Sequence, residues 1–580
     1  MKNIIFNVLL NKNKISLLII LFLIFFNLVL ELIGLSLFFP LIKILLDKEN
    51  FLFFFQDYFF YSYISSLTYE FLLILILFLI FFTFFVKNVL LILSLYIQNK
   101  FFEVFQINIT NNLFGNYLNK EFIFFSNENS SNLLRNLRGE TASVLIFFQS
   151  IINLVTEFFI CFGIILFLIF ADSKTTITLI SIIIPISLLY ILFTKKKIST
   201  LASKRIFLDG LINKNFLEAI SAIKEIKIYG KEDAFKNYVN INLKNFFKIN
   251  IIWTIFNAIP RYFLEIFLVF SLLLIIYLLE ANIFQTKNDT ITIVGILVVA
   301  SARILPSVSK ILTNIQNFKF RLPSVELLNS EIIKMNEINL DIKEKNTEDK
   351  TNDLNFNNKF CVEIKNLDFQ YNNDSQKIIK NFNIVFESDK IYGIVGKTGS
   401  GKSTLVDLIS GFYKPTKGQI LVNGQNIANK LNLWRKNFGY VSQKIFLFDD
   451  TIEKNITLEI DEKTIDKSKL DQVMIMSEIK DFVYNLPQGF KTKVGQNGAK
   501  LSGGQIQRLG IARALYQDPK IIIFDEATNA LDNDTENKIL KMIQNIKKNK
   551  LIFIVTHNTN PLDICDKTLK IDKNGEFKFS

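Results

Sequence analysis

Cysteine and histidine are scarce in this sequence: its 580 residues include three cysteines and one histidine. Cys161, Cys361 and Cys565 have no metal-ligand spacing between them, which argues against both a disulfide framework and a zinc site. A cleavage pattern of small residues is also missing after the first apolar stretch, which follows three lysines. We therefore expect this stretch to be a first membrane span and not a cleaved signal peptide.

Apolar residues, by contrast, are abundant. They make up 50% of the chain, with 60 phenylalanines among them, and the net charge is +13. This composition is more hydrophobic than that of a typical soluble protein. The length is sufficient for about three or four domain-sized units.

Six apolar runs occur before residue 315, and each is long enough to cross ~30 Å of hydrocarbon. They cover residues 15–46, 71–97, 144–170, 176–193, 251–279 and 291–312. Segment 195–248 carries 12 lysines and arginines, whereas the loops at 47–70, 171–175 and 280–290 carry one lysine each. By the positive-inside rule, the N-terminus and everything after the sixth run are cytoplasmic. This topology explains much of the positive charge, so we expect no nucleic-acid partner.

The sequence changes character after the sixth run. Residues 321–359 are rich in Asn, Lys, Glu and Asp, which is typical of a polar connector. Beyond it, strand-like runs alternate with amphipathic helical stretches, the pattern of a parallel α/β sheet. We predict an α-helical transmembrane domain of six spans over residues 1–320, a linker over 321–359 and an α/β domain over 360–580.

A glycine-rich loop lies between the apolar run 391–395 and a helical stretch that opens at Lys402. Its glycines let successive backbone N–H groups converge on a phosphate, Lys402 supplies a point charge, and Ser403 can bind Mg²⁺. The candidate phosphate-binding residues are Gly396, Gly399, Ser400, Gly401, Lys402, Ser403 and Thr404. A chance glycine-rich turn is the alternative, but it would not require a strand before the loop and a helix after it.

Two acids follow a second buried run at residues 521–524. Asp525 at such a strand end can hold a metal through water, and Glu526 can orient or deprotonate an attacking water. By themselves, two acids after an apolar strand also suit a solvated strand end. In the same domain as a phosphate loop, they predict a site for ATP and Mg²⁺.

Several further motifs occur in the order found in the ATP-binding cassette (ABC) superfamily, whose cassettes are P-loop NTPases. These are Tyr371, Gln443, the run Leu501-Ser502-Gly503-Gly504-Gln505, the run Ala530-Leu531-Asp532, and His557. The chain resembles this superfamily, which implies that Tyr371 stacks on adenine, Gln443 contacts Mg²⁺ and His557 is the switch histidine. A core tyrosine and a structural histidine are the alternatives. The implied catalytic residues are Glu526, His557 and Lys402.

The signature motif also bears on assembly. The resemblance implies that two cassettes sandwich two ATP molecules, with Ser502, Gly503, Gly504 and Gln505 of one facing the phosphate loop of the other. One cassette and six spans per chain predict a dimer, most simply a homodimer. The fused layout resembles exporters, and we expect a multi-pass protein of a bacterial inner membrane with short coupling helices near 121–129 and 226–235.

Three cations interrupt the apolar runs: Lys87, Arg261 and Arg303. A cation at the bilayer centre costs at least ~2.5 kcal/mol and is usually functional. Measured along the helices, all three fall at middle to inner depth, where they could converge on an anionic head group such as a diphosphate.

Acidic residues could neutralise these cations instead. Glu265 lies one helical turn after Arg261, so the two could pair on one helix. Glu31 and Glu157, in other runs, could pair with the remaining two cations. In that case the charges are structural.

The stretches AIPRYFLE (258–265), ARILPS (302–307) and DFVYNLPQG (481–489) resemble the PglK-type flippases of lipid-linked oligosaccharides. This resemblance implies that an undecaprenyl-diphosphate-linked saccharide moves from the inner to the outer leaflet, with its diphosphate drawn by the buried cations. An aromatic loop at 51–61 suits an interfacial helix that touches the lipid tail or only anchors the loop. A general lipid, multidrug or peptide exporter and an ATP-gated channel are the alternatives.

Overall fold

The structure is a computed structural model that describes residues 14–46, 68–171, 173–280, 290–347, 354, 356, 359–371, 377–572 and 577–579. The aromatic loop at 51–61 lies outside these ranges. The chain forms two compact units. One comprises Met1–Lys120 and Phe125–Ile338, and the other comprises Glu121–Phe124 and Asn339–Ser580.

Helices make up the chain before residue 348, as far as it is described. They are α1 (Lys14–Ser36), α2 (Phe38–Leu46), α3 (Tyr69–Leu118), α4 (Phe122–Asn127), α5 (Ser130–Arg135), α6 (Thr141–Ala171), α7 (Ser173–Ser221), α8 (Ile223–Ile228), α9 (Glu232–Glu280) and α10 (Thr290–Thr347). A π-helical turn, Asn136–Glu140, joins α5 to α6. The short helix α4 lies within the first range where a coupling helix is expected, 121–129, whereas α8 overlaps the second, 226–235, only at residues 226–228, and residues 232–235 begin α9.

Five stretches in the described ranges are long and apolar enough to cross a membrane. They are Lys14–Ile42, Tyr69–Leu118, Ser130–Phe170, Ser173–Ser221 and Glu232–Leu278. Each contains most or all of one of the first five predicted spans. The sixth, residues 291–312, forms the first part of α10. Several helices are far longer than the runs that predicted them, because an apolar run marks only the part of a helix that lies in hydrocarbon.

Helix α10 differs from the predicted linker. The composition of residues 321–359 predicts a polar connector, but α10 stays helical as far as Thr347. The reason is local packing: Val325 and Leu328, three residues apart, are buried, whereas Glu326 and Ser330 between and after them are exposed. The first part of this segment is therefore a packed helix.

The second unit contains two sheets. Its strands are β1 (Cys361–Phe369), β2 (Ile379–Glu387), β3 (Lys390–Gly396), β4 (Lys417–Val422), β5 (Gln425–Asn426), β6 (Phe438–Val441), β7 (Ile521–Asp525), β8 (Leu551–Val555), β9 (Lys567–Ile571) and β10 (Phe577–Phe579). The first sheet is antiparallel, in the order β2-β1-β4-β5. In the second, of order β10-β9-β3-β8-β7-β6, all neighbours are parallel except β10 and β9. The predicted α/β fold with a parallel sheet is confirmed.

Helices cover the parallel sheet. They are α11 (Lys402–Ile409), α12 (Leu431–Arg435), α13 (Ile452–Thr457), α14 (Lys467–Met476), α15 (Lys480–Tyr484), α16 (Gly503–Tyr516) and α17 (Asn533–Ile546). Strands β7 and β8 are buried at every position, which explains their unbroken apolar sequences. The carboxyl ends of β3, β7 and β8 lie side by side, since Val555 pairs with both Ile394 and Asp525. The candidate site is built at this edge.

Candidate functional site

The glycine-rich loop connects β3 to α11, as predicted. Gly399 and Gly401 have φ angles of 79° and 97°, a region that residues with a side chain rarely adopt. At Gly396 the constraint is space: a Cβ atom would lie 2.4 Å from the carbonyl oxygen of Ile571 and 2.6 Å from Ser400 Oγ. The loop conformation therefore requires glycine at these three positions.

The loop fits a phosphate. The buried Ser400 Oγ has no hydrogen-bond partner in the described part of the chain. Lys402 Nζ donates to the carbonyl oxygens of Gly396 (2.8 Å) and Lys397 (3.2 Å), so its ammonium group lies within the loop. Burial lowers the pKa of Lys402, and the nearby carboxylates partly offset this shift. A hydroxyl without a partner, an ammonium group and the N-terminus of α11 together suit a phosphate of ATP.

Tyr371 lies beside this loop. Its hydroxyl oxygen is 2.9 Å from Thr404 Oγ1, in the first turn of α11, and its ring makes edge contacts with Phe369 and Tyr413. The side chain stays 40% exposed, which leaves it accessible to a base. Adenine stacking on Tyr371 remains a prediction. Ser403, next to Thr404 in the first turn of α11, is exposed.

Asp525 ends β7 and is buried. The Tyr440 hydroxyl donates to its Oδ2 (3.2 Å), and burial raises the pKa of the Asp525 carboxyl group. Sequence reasoning missed Tyr440, which is 85 residues away. Tyr440 and Asp525 meet because β6 pairs with β7, and this pairing is known only from the order of the strands in the sheet.

Glu526 is the centre of the site. The amide of Gln443 donates to its Oε2 (2.7 Å), and so does the amide of Asn529 (3.0 Å). His557 Nε2 lies 3.2 Å from Oε1. Three predicted residues, far apart in the sequence, are therefore brought together, whereas Asn529 was not predicted. The Glu526 backbone has a φ of 50°, which is unusual for a residue with a side chain.

The signature run forms the N-terminus of α16. Ser502 and Gln505 make a reciprocal capping box: Gln505 N donates to Ser502 Oγ (3.3 Å), and Ser502 N donates to Gln505 Oε1 (2.8 Å). Further along the helix, Gln507 accepts a hydrogen bond from Ala530 N (3.0 Å) and donates to Glu526 O (3.4 Å). Gln507 thus ties the signature helix to the acidic segment, a link that sequence reasoning also missed.

Asp407, on α11, gives a pH-dependent prediction. Burial, reinforced by Asp525, raises the pKa of Asp407 from 3.8 to about 6. The folded state therefore binds a proton more readily than the unfolded chain, and stability decreases as the pH rises from about 4 to about 6. We expect Asp407→Asn to stabilise the protein by about 1–2 kcal/mol at pH 8 and by much less at pH 4.

Thermal unfolding of the full chain in detergent measures this difference. In a Trp253→Phe background, the buried Trp434, whose Nε1 donates to Ile409 O at the end of α11, reports on this unit alone. The unfolding temperature should rise by about 2–6 °C at pH 8. The exposed Asp534 supplies the control Asp534→Asn. An effect of Asp407→Asn that is equal at pH 4 and pH 8 would contradict the prediction.

In the helical unit, Lys87 and Arg303 meet at Glu31. Lys87 Nζ lies 2.9 Å from Glu31 Oε2, and Arg303 Nε lies 2.9 Å from Glu31 Oε1. Both cations also lie over the ring of Phe84, at 4.4 and 5.6 Å from its centroid. Lys87 and Glu31 are buried, whereas the Arg303 side chain is 40% exposed. The cluster has two cations and one acid and is open at Arg303.

Arg261 is placed differently. Its side chain is exposed on α9, and it makes no ion pair with Glu265 or with the cluster in the described residues. Glu157 pairs with Lys310 Nζ at 2.7 Å and not with Lys87 or Arg303, which both contact Glu31. Of the three predicted cations, the structure brings together Lys87 and Arg303.

Comparison with known families agrees with this geometry. A model described as the ABC transporter transmembrane region matches residues 17–315, and one described as ABC transporter matches residues 379–529. The first alone covers more than half of the chain. The chain therefore belongs to the ABC transporter family, with transmembrane and ATP-binding domains fused, and ATP hydrolysis is coupled to transport in it.

Individual relatives support the exporter type. The chain is 31% identical over 476 residues to the ATP-dependent lipid A-core flippase of Wigglesworthia glossinidia brevipalpis, covering 80% of this chain and 78% of that protein. A Staphylococcus aureus protein named for multidrug export is 41% identical over 219 residues, which is only 37% of either chain. The fold is similar to that of a bacterial Atm1-family ABC exporter with ATP bound (TM-score 0.74, 20% identity, 97% of this chain and 95% of that one).

Proposed function

We propose that the chain is half of a dimeric flippase, most simply a homodimer, in a bacterial inner membrane. The positive charge of residues 195–248 supports a cytoplasmic N-terminus and a cytoplasmic ATPase domain. The signature run supports the dimer, because the N-terminus of α16 suits a phosphate brought by a second copy. In such a dimer, Ser502, Gly503, Gly504 and Gln505 of one copy face the phosphate loop of the other.

Each ATP site then uses the residues described above. Backbone N–H groups of the loop and Lys402 hold the phosphates, and Tyr371 stacks on the base. Mg²⁺ supplies charge neutralisation at the phosphates, and Ser403, Gln443 and Asp525 are the residues that would hold it.

Glu526 has the central chemical role in this proposal. It orients the attacking water and accepts its proton, while His557 fixes the orientation of the carboxylate. The meeting of Gln443, Glu526 and His557 at one carboxylate is the observation that supports this assignment.

The cargo proposal rests on the cluster of Lys87, Glu31 and Arg303. A buried lysine and a half-exposed arginine that share one acid leave a net charge of one positive unit. Because only the Nε of Arg303 faces Glu31, the two terminal nitrogens of its guanidinium can still bind a phosphate. We infer a lipid with a diphosphate head group as cargo, such as an undecaprenyl-diphosphate-linked oligosaccharide, moved from the inner to the outer leaflet. Arg261, exposed on α9, is a further candidate contact.

A general lipid, multidrug or peptide exporter is the second candidate. The structure supplies one observation in its favour: Glu31 already neutralises one of the two cations, so the cluster could be a purely structural ion pair. The name of the Staphylococcus relative also points to drugs. The two candidates differ in whether the loss of Arg303 affects the response to cargo.

Stimulation of ATP hydrolysis by cargo separates these candidates. In proteoliposomes we expect undecaprenyl diphosphate to stimulate hydrolysis and undecaprenol to leave it unchanged. Arg303→Ala should weaken the apparent affinity for the diphosphate by about 10-fold, the loss of one charge-assisted contact, while keeping basal hydrolysis.

Lys310→Ala is the matched control, because it removes a cation seven residues further along α10 that pairs with Glu157. Stimulation that is insensitive to Arg303→Ala, or equal for undecaprenol and its diphosphate, would overturn the diphosphate proposal.

A further inference from the structure

Two asparagines link the segments that follow β7 and β8. Asn558 Nδ2 donates to Asn529 Oδ1 (3.3 Å), and Asn529 Nδ2 donates to Glu526 Oε2 (3.0 Å). The result is a directed chain of amide hydrogen bonds that ends on the candidate catalytic carboxylate. None of the motifs that identify the ATP site assigns a role to either asparagine.

Both asparagines are anchored through their backbones. Asn529 N donates to Glu526 O (3.3 Å), which closes a turn directly after the acid. Asn558 N donates to Thr556 Oγ1 (2.9 Å), and Thr556 is buried. Although both side chains are exposed, they start from fixed backbone positions, so their contact costs less conformational entropy than one between residues on a mobile backbone.

The backbone of Glu526 needs such support. Its φ of 50° costs free energy for a residue with a side chain, and such a conformation persists only where neighbours hold it. Glu526 N donates to Val555 O (2.9 Å), and Gln507 donates to Glu526 O. Since the backbone is fixed, the remaining freedom is the rotation of the carboxylate, and the donors to Oε2 set that rotation together with His557 at Oε1.

Gln443 and Asn529 share this task at Oε2. In the proposed function, the amide oxygen of Gln443 also holds Mg²⁺, so the placement of its Nε2 donor depends on the metal. Asn529 is then the donor to Oε2 whose placement does not depend on the metal. With Oε2 held, Oε1 stays on the side of His557, 3.2 Å away.

We propose that Asn529 is a positioning residue for ATP hydrolysis and that Asn558 acts through it by fixing the Asn529 amide. This inference rests on the proposed role of Glu526. The link also reaches the signature helix, since Ala530, the neighbour of Asn529, donates its N–H to Gln507. The pair of asparagines thus connects the end of β8, the catalytic carboxylate and α16.

The decisive variant is Asn529→Asp in the full chain. Aspartate has the same shape and keeps an acceptor for Asn558, but it replaces the donor to Glu526 with an oxygen. We expect kcat to fall by about 10-fold to 100-fold, while KM and the Kd for a fluorescent ATP analogue change by less than about twofold. Asn545→Asp makes the same chemical change at an exposed position of α17 and should have no effect.

A double-mutant cycle tests whether the two asparagines act as one unit. Asn558→Ala should lower kcat by about threefold, the loss of one neutral hydrogen bond. Combined with Asn529→Ala, it should cause no further loss, because its effect passes through Asn529. Two effects that simply multiply would show that Asn558 acts independently and would overturn the proposed link.

Hydrogen exchange of the nucleotide-free protein gives a readout that is independent of turnover. Amides of residues 526–531 should exchange faster in Asn529→Ala and Asn558→Ala, and those of residues 396–404 should be unchanged. Normal kcat in Asn529→Asp, or a KM that rises as much as kcat falls, would contradict positioning. Glu526→Gln distinguishes a failure of this inference from a failure of the proposed function. If Glu526→Gln still turns over ATP, the proposed role of Glu526 is wrong as well.

Discussion

Glu526→Gln is expected to lower ATP turnover by about 100-fold or more while ATP still binds. Glutamine keeps the size of the side chain and an oxygen that can accept from Gln443 and Asn529, but it cannot take a proton from water. The variant should therefore accumulate with ATP bound. Steady-state phosphate release and the retention of radiolabelled ATP on the full chain in detergent measure the two effects.

The exposed Asp534 offers a control, since Asp534→Asn is also a change from acid to amide near this edge of the sheet. It should keep the turnover of the parent. A Glu526→Gln variant with substantial turnover would mean that another group accepts the proton. In that case the meeting of Gln443, Glu526 and His557 would have a structural role only.

Lys402→Ala should abolish tight ATP binding. The ammonium group donates to two carbonyl oxygens of the loop, so it is placed where a phosphate would bind. Its loss removes charge-assisted hydrogen bonds of about 3 kcal/mol in total, which corresponds to a Kd roughly 100-fold higher. Titration of the full chain with a fluorescent ATP analogue measures the Kd.

Lys380, exposed on β2 of the same unit, gives the matched control Lys380→Ala. Lys380→Ala removes one positive charge, as Lys402→Ala does, but leaves the loop intact. Equal affinities for the parent and Lys402→Ala would show that the loop does not bind phosphate through this lysine. An equal loss of affinity in Lys402→Ala and Lys380→Ala would indicate a general electrostatic effect and not a specific phosphate site.

Much of the ATP site follows from the sequence because its chemistry is local. The glycines at 396, 399 and 401 are demanded by the conformation of a single loop, and the loop starts at the end of β3 and runs into α11 at Lys402, as expected. The parallel sheet was also predictable, since β7 and β8 are short, continuous apolar runs. These features depend on residues that are neighbours in the chain.

Other features depend on which segments meet, and composition does not encode that. Tyr440 reaches Asp525 only because β6 pairs with β7, and Asn558 reaches Asn529 only because β8 follows β7 in the sheet. In the helical unit, the position of Lys87 and Arg303 within apolar runs identified them as candidates, and Glu31 was one predicted partner. That a single carboxylate holds both cations is a result of helix packing.

The extent of the helices was the least predictable feature. Hydropathy marks the part of α10 that is apolar, but the helix continues to Thr347 through a segment whose mean composition is polar. In the part of this segment whose side chains are described, apolar residues at helical spacing, among them Val325 and Leu328, are buried. Composition averaged over 40 residues hides such a stripe, whereas its period would reveal it.

ATP-dependent flipping of a fluorescent undecaprenyl-diphosphate saccharide in proteoliposomes is the most direct test of the central claim. The intact chain should move the lipid between leaflets when ATP is present, Glu526→Gln should not, and Arg303→Ala should hydrolyse ATP but need about 10-fold more lipid to reach the same flipping rate. If the intact chain hydrolyses ATP yet moves none of this lipid, the proposed cargo is wrong and must be sought among other lipids, drugs and peptides.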